Sequence, residues 1–357
     1  MRLLKKIPMY IFIAINLLMI VAMNFCAYTS YLHPQSHPHL AYFGLMFPVF
    51  LVATACFVPF WLIFKWKLTA LPLVGMLLCA GSVRTYVPVN IPVTPPEGCL
   101  KFLSYNVMSF GDDRKSPWEE NPILHYMLES GADIICMQEG RKDFIDKALD
   151  TIAQIYPYYS LELTPNNYIA CFSKFPIDSV MKFDYPSKSN ASYVYEMLVD
   201  EDTVLVINNH FESYRLSKED KADYKSIFEN YKHPDQNDSD LKYLTLTDKL
   251  AHCDSIRGIQ TDSVAAFVER NRGRYIIACG DFNSSPISYT HRRMTEELND
   301  AYTRTGNGPG LSYNRSGMYF RLDNILVSPN ITAYGAKVDR SIKTSDHYPI
   351  YCFVKLE

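Results

Sequence analysis

Between Ile276 and Pro286 the chain reads IIACGDFNSSP. An apolar run stops at Gly280, and Asp281 and Asn283 follow two positions apart. Side chains two apart on a strand share a face, so this pair is expected to converge on one point at a strand end. The glycine allows a close backbone approach there. Other apolar runs meet polar residues in the same way. SYNV brings Asn106, MQE brings Glu139 and NNHFES brings His210. KTSDHYPIY sets Asp346 and His347 just before the last apolar run, and FRLDNILVS carries Asp323 in its body.

These groups suit metal-assisted hydrolysis of a phosphoester. Mg²⁺ and Mn²⁺ take carboxylate and amide oxygens, with few protein ligands and several retained waters. Glu139 and Asp346 are the natural ligands, with Asn106 assisting. A phosphoryl transition state needs positive charge and donors around its equatorial oxygens, a role open to Asn283, His210 and His347. Asp281 is placed to orient the attacking water or accept its proton, and Asp323 to fix the tautomer of His347. Singly, each residue has a plain alternative as a turn, a helix cap or a structural histidine. Their recurrence at the ends of successive apolar runs carries the reading.

Those residues need strands to hold them. LKFLSYNV, DIICMQEG, NYIACFSKFPI, VYEMLVD, TVLVINNHFES, RYIIACGDFN, FRLDNILVS, ITAYGAKV and YPIYCFVKL all read as strands. ENPILHYMLESGAD and DFIDKALDTIAQIY read as helices. From about Ser217 to Arg272 the chain is polar and mostly helical, with a break expected at KHPDQNDSD. Arg257 and Gln260, in IRGIQTDSVAAFVE, are expected to be structural. Many strands mixed with few short helices imply a layered α/β sandwich rather than a purely parallel sheet.

The ordered set SYNV, MQE, NNHFES, GDFNSSP, RLDNILVS and SDHYPI resembles the endonuclease/exonuclease/phosphatase superfamily, the DNase I-like enzymes. NNYIACFSKFPI resembles the family's strand that ends in Ser-Arg/Lys-aromatic-Pro-Ile. The likeness covers about residues 99–357. It implies a four-layered α/β sandwich, divalent-metal dependence and hydrolysis of phosphodiesters or phosphomonoesters. It also implies metal-site roles for Asn106, Glu139 and Asp346, a phosphate-contacting or acid role for His210, a water-orienting and phosphate-binding pair in Asp281 and Asn283, and a His347–Asp323 pair. Val-Met-Ser follows Asn106, where the abasic-site nucleases place an acidic residue two positions on, and this argues against DNA repair.

The first part of the chain is different in kind. No Asp, Glu, Lys or Arg occurs from Ile7 to Leu32, from Leu40 to Phe64 or from Leu68 to Val83. A membrane-spanning helix needs about 20 mostly apolar residues, so three spans are expected at about 8–30, 40–64 and 68–87. The proline-rich VPVNIPVTPPEG reads as an extended linker over 88–98, ahead of a catalytic domain over 99–357. Arg2, Lys5, Lys6, Lys65 and Lys67 flank one side of these spans and Arg84 the other. The excess puts the N-terminus inside and the catalytic domain outside the cytoplasm. Residues 1–98 hold six Lys or Arg and one Glu, whereas the rest holds 29 basic and 37 acidic residues. An acidic domain does not favour non-specific nucleic-acid binding. The nine cysteines show no metal-site spacing, and most read as buried apolar residues. The expected function is a membrane-anchored phosphoesterase, with lipid headgroups or lipid-linked phosphates as substrates. An extracytoplasmic nuclease and an inactive binding module are the alternatives.

Overall fold

The computed structural model describes residues 7–112, 117–165, 167–187, 190–214, 236–315 and 318–357. Two six-stranded sheets face each other. The first runs in the order β13 (Ile331–Val338), β14 (Ile350–Leu356), β1 (Leu100–Asn106), β2 (Ile134–Gly140), β4 (Tyr168–Ser173), β3 (Tyr158–Leu163). The second runs β5 (Ile177–Lys182), β6 (Ser192–Val199), β7 (Asp202–His210), β8 (Tyr275–Asp281), β12 (Asp323–Val327), β9 (Asn299–Asp300). A small hairpin, β10 (Tyr313–Arg315) and β11 (Met318–Phe320), stands apart.

Alternation along the strands builds the layers. Phe102, Ile134, Cys136, Ile277, Cys279 and Ile325 enter the core between the sheets. Their neighbours Leu103, Ile135 and Met137 turn outward to meet Ile123, Leu124 and Ile145 of two helices, α1 (Pro122–Glu129) and α2 (Lys142–Ala153). Ile276 and Ala278 turn outward to meet Val264, Ala265 and Val268 of α3 (Gln236–Arg270). The result is a four-layered α/β sandwich whose central strands are buried on both faces, which is why they read as continuous apolar runs. No disulfide is formed among the described residues, and Cys136, Cys171, Cys279 and Cys352 fill the inter-sheet core.

Each sheet holds one parallel pair at its centre, β1 with β2 and β7 with β8. Their C-terminal ends share a rim. Part of the expected break at KHPDQNDSD is helical instead, because α3 is continuous from Gln236. The stretch from 215 to 235 lies outside the described residues.

Two N-terminal segments, Met9–Tyr31 and Pro38–Phe64, are long and apolar enough to cross a membrane. The expected third span is not one straight helix. Trp66–Leu78 and Ala80–Tyr86 meet at 76°. Cys79 leaves helical dihedrals at that point, just ahead of the Gly81–Ser82 pair. Polar side chains tie the helices together: Trp61 donates to Asn16 at 2.9 Å, and Asn24 donates to the Gly75 carbonyl at 3.1 Å.

The connection between the first two segments packs on the sandwich. His33 lies 2.8 Å from Asp262, Ser255 donates to the Pro34 carbonyl, and Arg292 donates to the Ser30 carbonyl. Ile287 joins Met23, Cys26 and Phe47 in one apolar cluster. Gly44 makes this contact possible, since a Cβ there would stand 1.7 Å from the Ile287 carbonyl oxygen. Arg321 donates to the Thr85 carbonyl at 2.8 Å, and Asn90 donates to the Gly306 carbonyl.

Candidate active site

Strand register assembles half of the site. In the second sheet His210 stands opposite Asp281, and Asp281 stands opposite Asp323. The three form one row across β7, β8 and β12. Two residues back, Cys279 lies in the inter-sheet core, and so does Ile325 two residues beyond Asp323. The whole row therefore faces between the sheets. Asp323 opens its strand rather than sitting in its body, because antiparallel β12 begins where β8 ends. Gly280 keeps the row tight: its φ is +120°, and a Cβ there would stand 2.0 Å from the Asn209 carbonyl oxygen.

The first sheet supplies Asn106 and Glu139 by two different routes. Asn106 follows Phe102 on the inter-sheet face in ordinary alternation. Glu139 does not. Met137, two residues earlier, faces the helices, so alternation alone would send Glu139 away from the site. A register shift between Met137 and Gly140 and a left-handed backbone at Glu139, φ +57°, turn it back. Such a conformation in a non-glycine residue costs on the order of 1–3 kcal/mol and persists where the surroundings enforce it.

Side chains from both sheets then meet. Asn106 donates its amide to Glu139 and to Asp281, each at 3.1 Å, and so spaces two like charges. Its own oxygen accepts from the Met108 N–H. His210 Nε2 lies 3.4 Å from Glu139 and 4.0 Å from Asp281, buried and without a hydrogen bond. His347 Nδ1 lies 2.7 Å from Asp323 Oδ2, and its Nε2 lies 3.6 Å from Asp281. Burial alone would lower the His347 pKa. The carboxylates of Asp323 and Asp281 outweigh it and push the imidazole up to about 10.

Asn283 departs from expectation. It lies beyond β8 in a left-handed conformation, φ +49°, and donates its amide to the Phe211 carbonyl at 3.0 Å. The strand ends at Asp281, so the shared-face argument does not reach it. Asp346 lies at the rim, partly exposed, and its carboxylate accepts from Arg315 at 3.2 Å.

Gln138, Asn208 and Ser345 are neighbours that the sequence did not single out. Gln138 donates to Asn208 at 2.7 Å and Asn208 to the Met137 and Ala170 carbonyls, a buried amide ladder beneath the site. The doubled polar residues of MQE and NNH were the available signal. Ser345 accepts from the His347 N–H and donates to the Asn106 carbonyl. Arg257 and Gln260 grip one residue from both sides: Arg257 donates to the Glu212 carbonyl, and Gln260 accepts the Glu212 N–H at 2.7 Å. They brace the chain two residues after His210, as a structural role requires.

Among the described residues one buried grouping and two partly exposed carboxylates offer ligands for a cation. Asp281, Asp323 and His347 bring ligand atoms within 4.8 Å of one another, all buried. There the Nδ1 atom and one Asp323 oxygen already bond each other, which suits proton handling better than ligation. Glu139 and Asp346 are partly exposed carboxylates, 31% and 17%, and both act electrostatically on the Tyr313 hydroxyl. Oxygen donors open to water fit a hard divalent ion. His210 Nε2, buried and without a hydrogen bond among the described residues, lies 3.4 Å from Glu139.

Comparison with known proteins places the fold and the family. A family model described as endonuclease/exonuclease/phosphatase matches residues 103–347, and one described as a domain of unknown function matches residues 9–86. No curated protein matches the sequence. Three solved structures share the fold at 13% identity. Humanized D. rerio TDP2 has a TM-score of 0.54 over 72% of this chain and 99% of that one, at 13% identity. The endonuclease/exonuclease/phosphatase from Bacteroides vulgatus scores 0.51, over 73% and 100%. The human Nocturnin catalytic domain with bound sulfate scores 0.51, over 75% and 97%. The chain belongs to the endonuclease/exonuclease/phosphatase family and is a phosphoric ester hydrolase.

Proposed function

We propose that residues 99–357 form a divalent-metal-dependent phosphoesterase, joined by the linker 88–98 to a membrane region over 1–87, and that its substrate is a phosphoester borne by a lipid. The hydrolase part rests on the convergence of Glu139, Asp281, His210 and His347 around the Asn106 amide.

Glu139 and Asp346 would hold Mg²⁺ or Mn²⁺, which when bound supplies charge neutralisation at the phosphoryl oxygens and a more acidic water. Asn106 would keep Glu139 and Asp281 in place through its amide, and its oxygen, which accepts one bond from the Met108 N–H, would keep a second lone pair for the ion. Asp281, fixed by the Asn283 N–H at 2.8 Å, would orient the attacking water and take its proton. His347, held by Asp323, would donate to a phosphoryl oxygen through Nε2. His210 would bind the phosphoryl group or protonate the leaving oxygen. Asn283 would act by holding Phe211, the residue after His210. Water adds to phosphorus, the ester P–O bond breaks, and the alcohol leaves with one proton.

The lipid reading is supported by how close the membrane region comes to the site. Ile287 lies four residues after Asn283, a reach of at most about 14 Å, and packs among Met23, Cys26 and Phe47. Arg321, two residues before Asp323, bonds the Thr85 carbonyl. The contacts of the sandwich at Ser30–Pro34 and at Thr85, with Lys65 and Lys67 at the opposite end of the second span, support a domain outside the cytoplasm. Purified full chain with Mn²⁺ should release headgroup phosphate from phospholipid vesicles and leave supercoiled plasmid intact. Nicking of plasmid with no headgroup release would make the chain a nuclease.

A further inference from the structure

Phosphoryl transfer needs a cation beside the substrate, and the rim just described is rich in carboxylates. The hairpin of β10 and β11 brings one. It is docked by its backbone: Asn314 donates to the Asp346 carbonyl at 3.0 Å, and Tyr348 donates to the Ser312 carbonyl at 2.7 Å. Tyr313 pairs with His347 as an isolated bridge, and the two rings stand edge to face at 5.1 Å. The fields of Asp346, Asp281 and Glu139 all reach the Tyr313 hydroxyl. The hairpin therefore lies against the site, and its Arg315 reaches Asp346 from the exposed side.

Arg315 is half-exposed and holds Asp346 through Nη1 at 3.2 Å. The other neighbour of that nitrogen is the Met108 thioether, a weak acceptor. Among the described residues, then, one carboxylate anchors this guanidinium, and it is the proposed ligand of the divalent ion. A carboxylate neutralised by a divalent ion attracts a guanidinium far less. A planar fork of donors released at this place matches a phosphate's oxygens.

We propose that Arg315 and the divalent cation compete for Asp346, and that Arg315, once displaced, binds the substrate's phosphate; this rests on the phosphoesterase reading above. In the cation-free protein Arg315 neutralises the rim. In the loaded protein it becomes a phosphate anchor on the hairpin, opposite the buried histidines. The ligand class is a phosphate mono- or dianion, whatever alcohol it carries.

The test uses the full chain in detergent and three proteins: wild type, Arg315→Ala and Arg315→Lys. Mn²⁺ affinity is read by calorimetry without substrate, and inhibition by inorganic phosphate during hydrolysis of bis(p-nitrophenyl) phosphate. Arg315→Ala should bind Mn²⁺ severalfold more tightly, because its competitor is gone. The same variant should need about tenfold more substrate and phosphate to saturate, and lysine should restore part of both. Unchanged Mn²⁺ affinity would overturn the competition, and unchanged phosphate inhibition would overturn the anchor. The calorimetry involves no turnover, so a chain inactive on the diester would refute the hydrolase reading while still deciding the competition.

Discussion

His347 and Asp323 form a buried pair, Nδ1 to Oδ2 at 2.7 Å, with the outer ring nitrogen turned toward Asp281. The carboxylate fixes which nitrogen carries its proton inward and leaves Nε2 to the substrate. Asp323→Asn should keep the fold, because the residue lies in register with Asp281 whatever its charge. Its kcat should fall by about 10²–10⁴-fold, the range for a disabled acid–base group, with KM changed less. Steady-state kinetics beside circular dichroism checks this.

Much of the site around that pair was legible beforehand. Asn106, His210 and Asp281 close apolar runs, and period-two alternation carries all three to the inter-sheet face. Alternation fails where the backbone leaves the extended region. Glu139 reaches the site through a bulge and a left-handed residue that MQEG does not announce, and Asn283 lies past the strand end for a similar reason. Arg315 was invisible because its three-residue strand has no apolar pattern, and its partner Asp346 lies far along the chain. The bend at Cys79 was hidden for the opposite reason, since hydropathy is blind to direction within an apolar run.

The strained backbone at Glu139 separates stability from function. Asparagine tolerates a left-handed backbone better than glutamate does. Glu139→Asn should therefore match or exceed the wild type in thermal midpoint while losing most Mn²⁺-dependent turnover. Thermal denaturation run with the diester assay reads both quantities on one preparation.

Gly280 is the steric key to the row of three. Its φ of +120° and the Asn209 carbonyl 2.0 Å from a built Cβ leave no room for alanine. Gly280→Ala should cost more than about 2 kcal/mol. Relief of the clash separates β7 from β8, so His210 moves away from Asp281. The folded fraction should also turn over more slowly, which activity normalised to folded protein would detect.

Asp300 stabilises the fold away from the site. It is buried and accepts from His291 at 3.0 Å and from Arg321 at 3.4 Å. Burial opposes its charge, but Arg321 and His291 prevail and hold its carboxyl well below the usual range. A depressed folded pKa means that this stabilisation is present above the unfolded value of about 3.9 and is lost as pH falls below it. Asp300→Asn should destabilise by about 3–5 kcal/mol at neutral pH, because Arg321 is left buried without its partner. The variant's deficit should shrink as pH drops toward 3, as urea melts across pH will show.

The central claim is that Glu139, Asp281 and His347, distant in sequence, work as one hydrolytic site. The direct measurement is Mn²⁺-dependent hydrolysis of bis(p-nitrophenyl) phosphate by the full chain, compared with Asp281→Ala and His347→Ala. The account predicts turnover in the wild type that disappears on chelation and falls at least about 100-fold in each variant. Equal turnover in wild type and variants would place the chemistry elsewhere and contradict it.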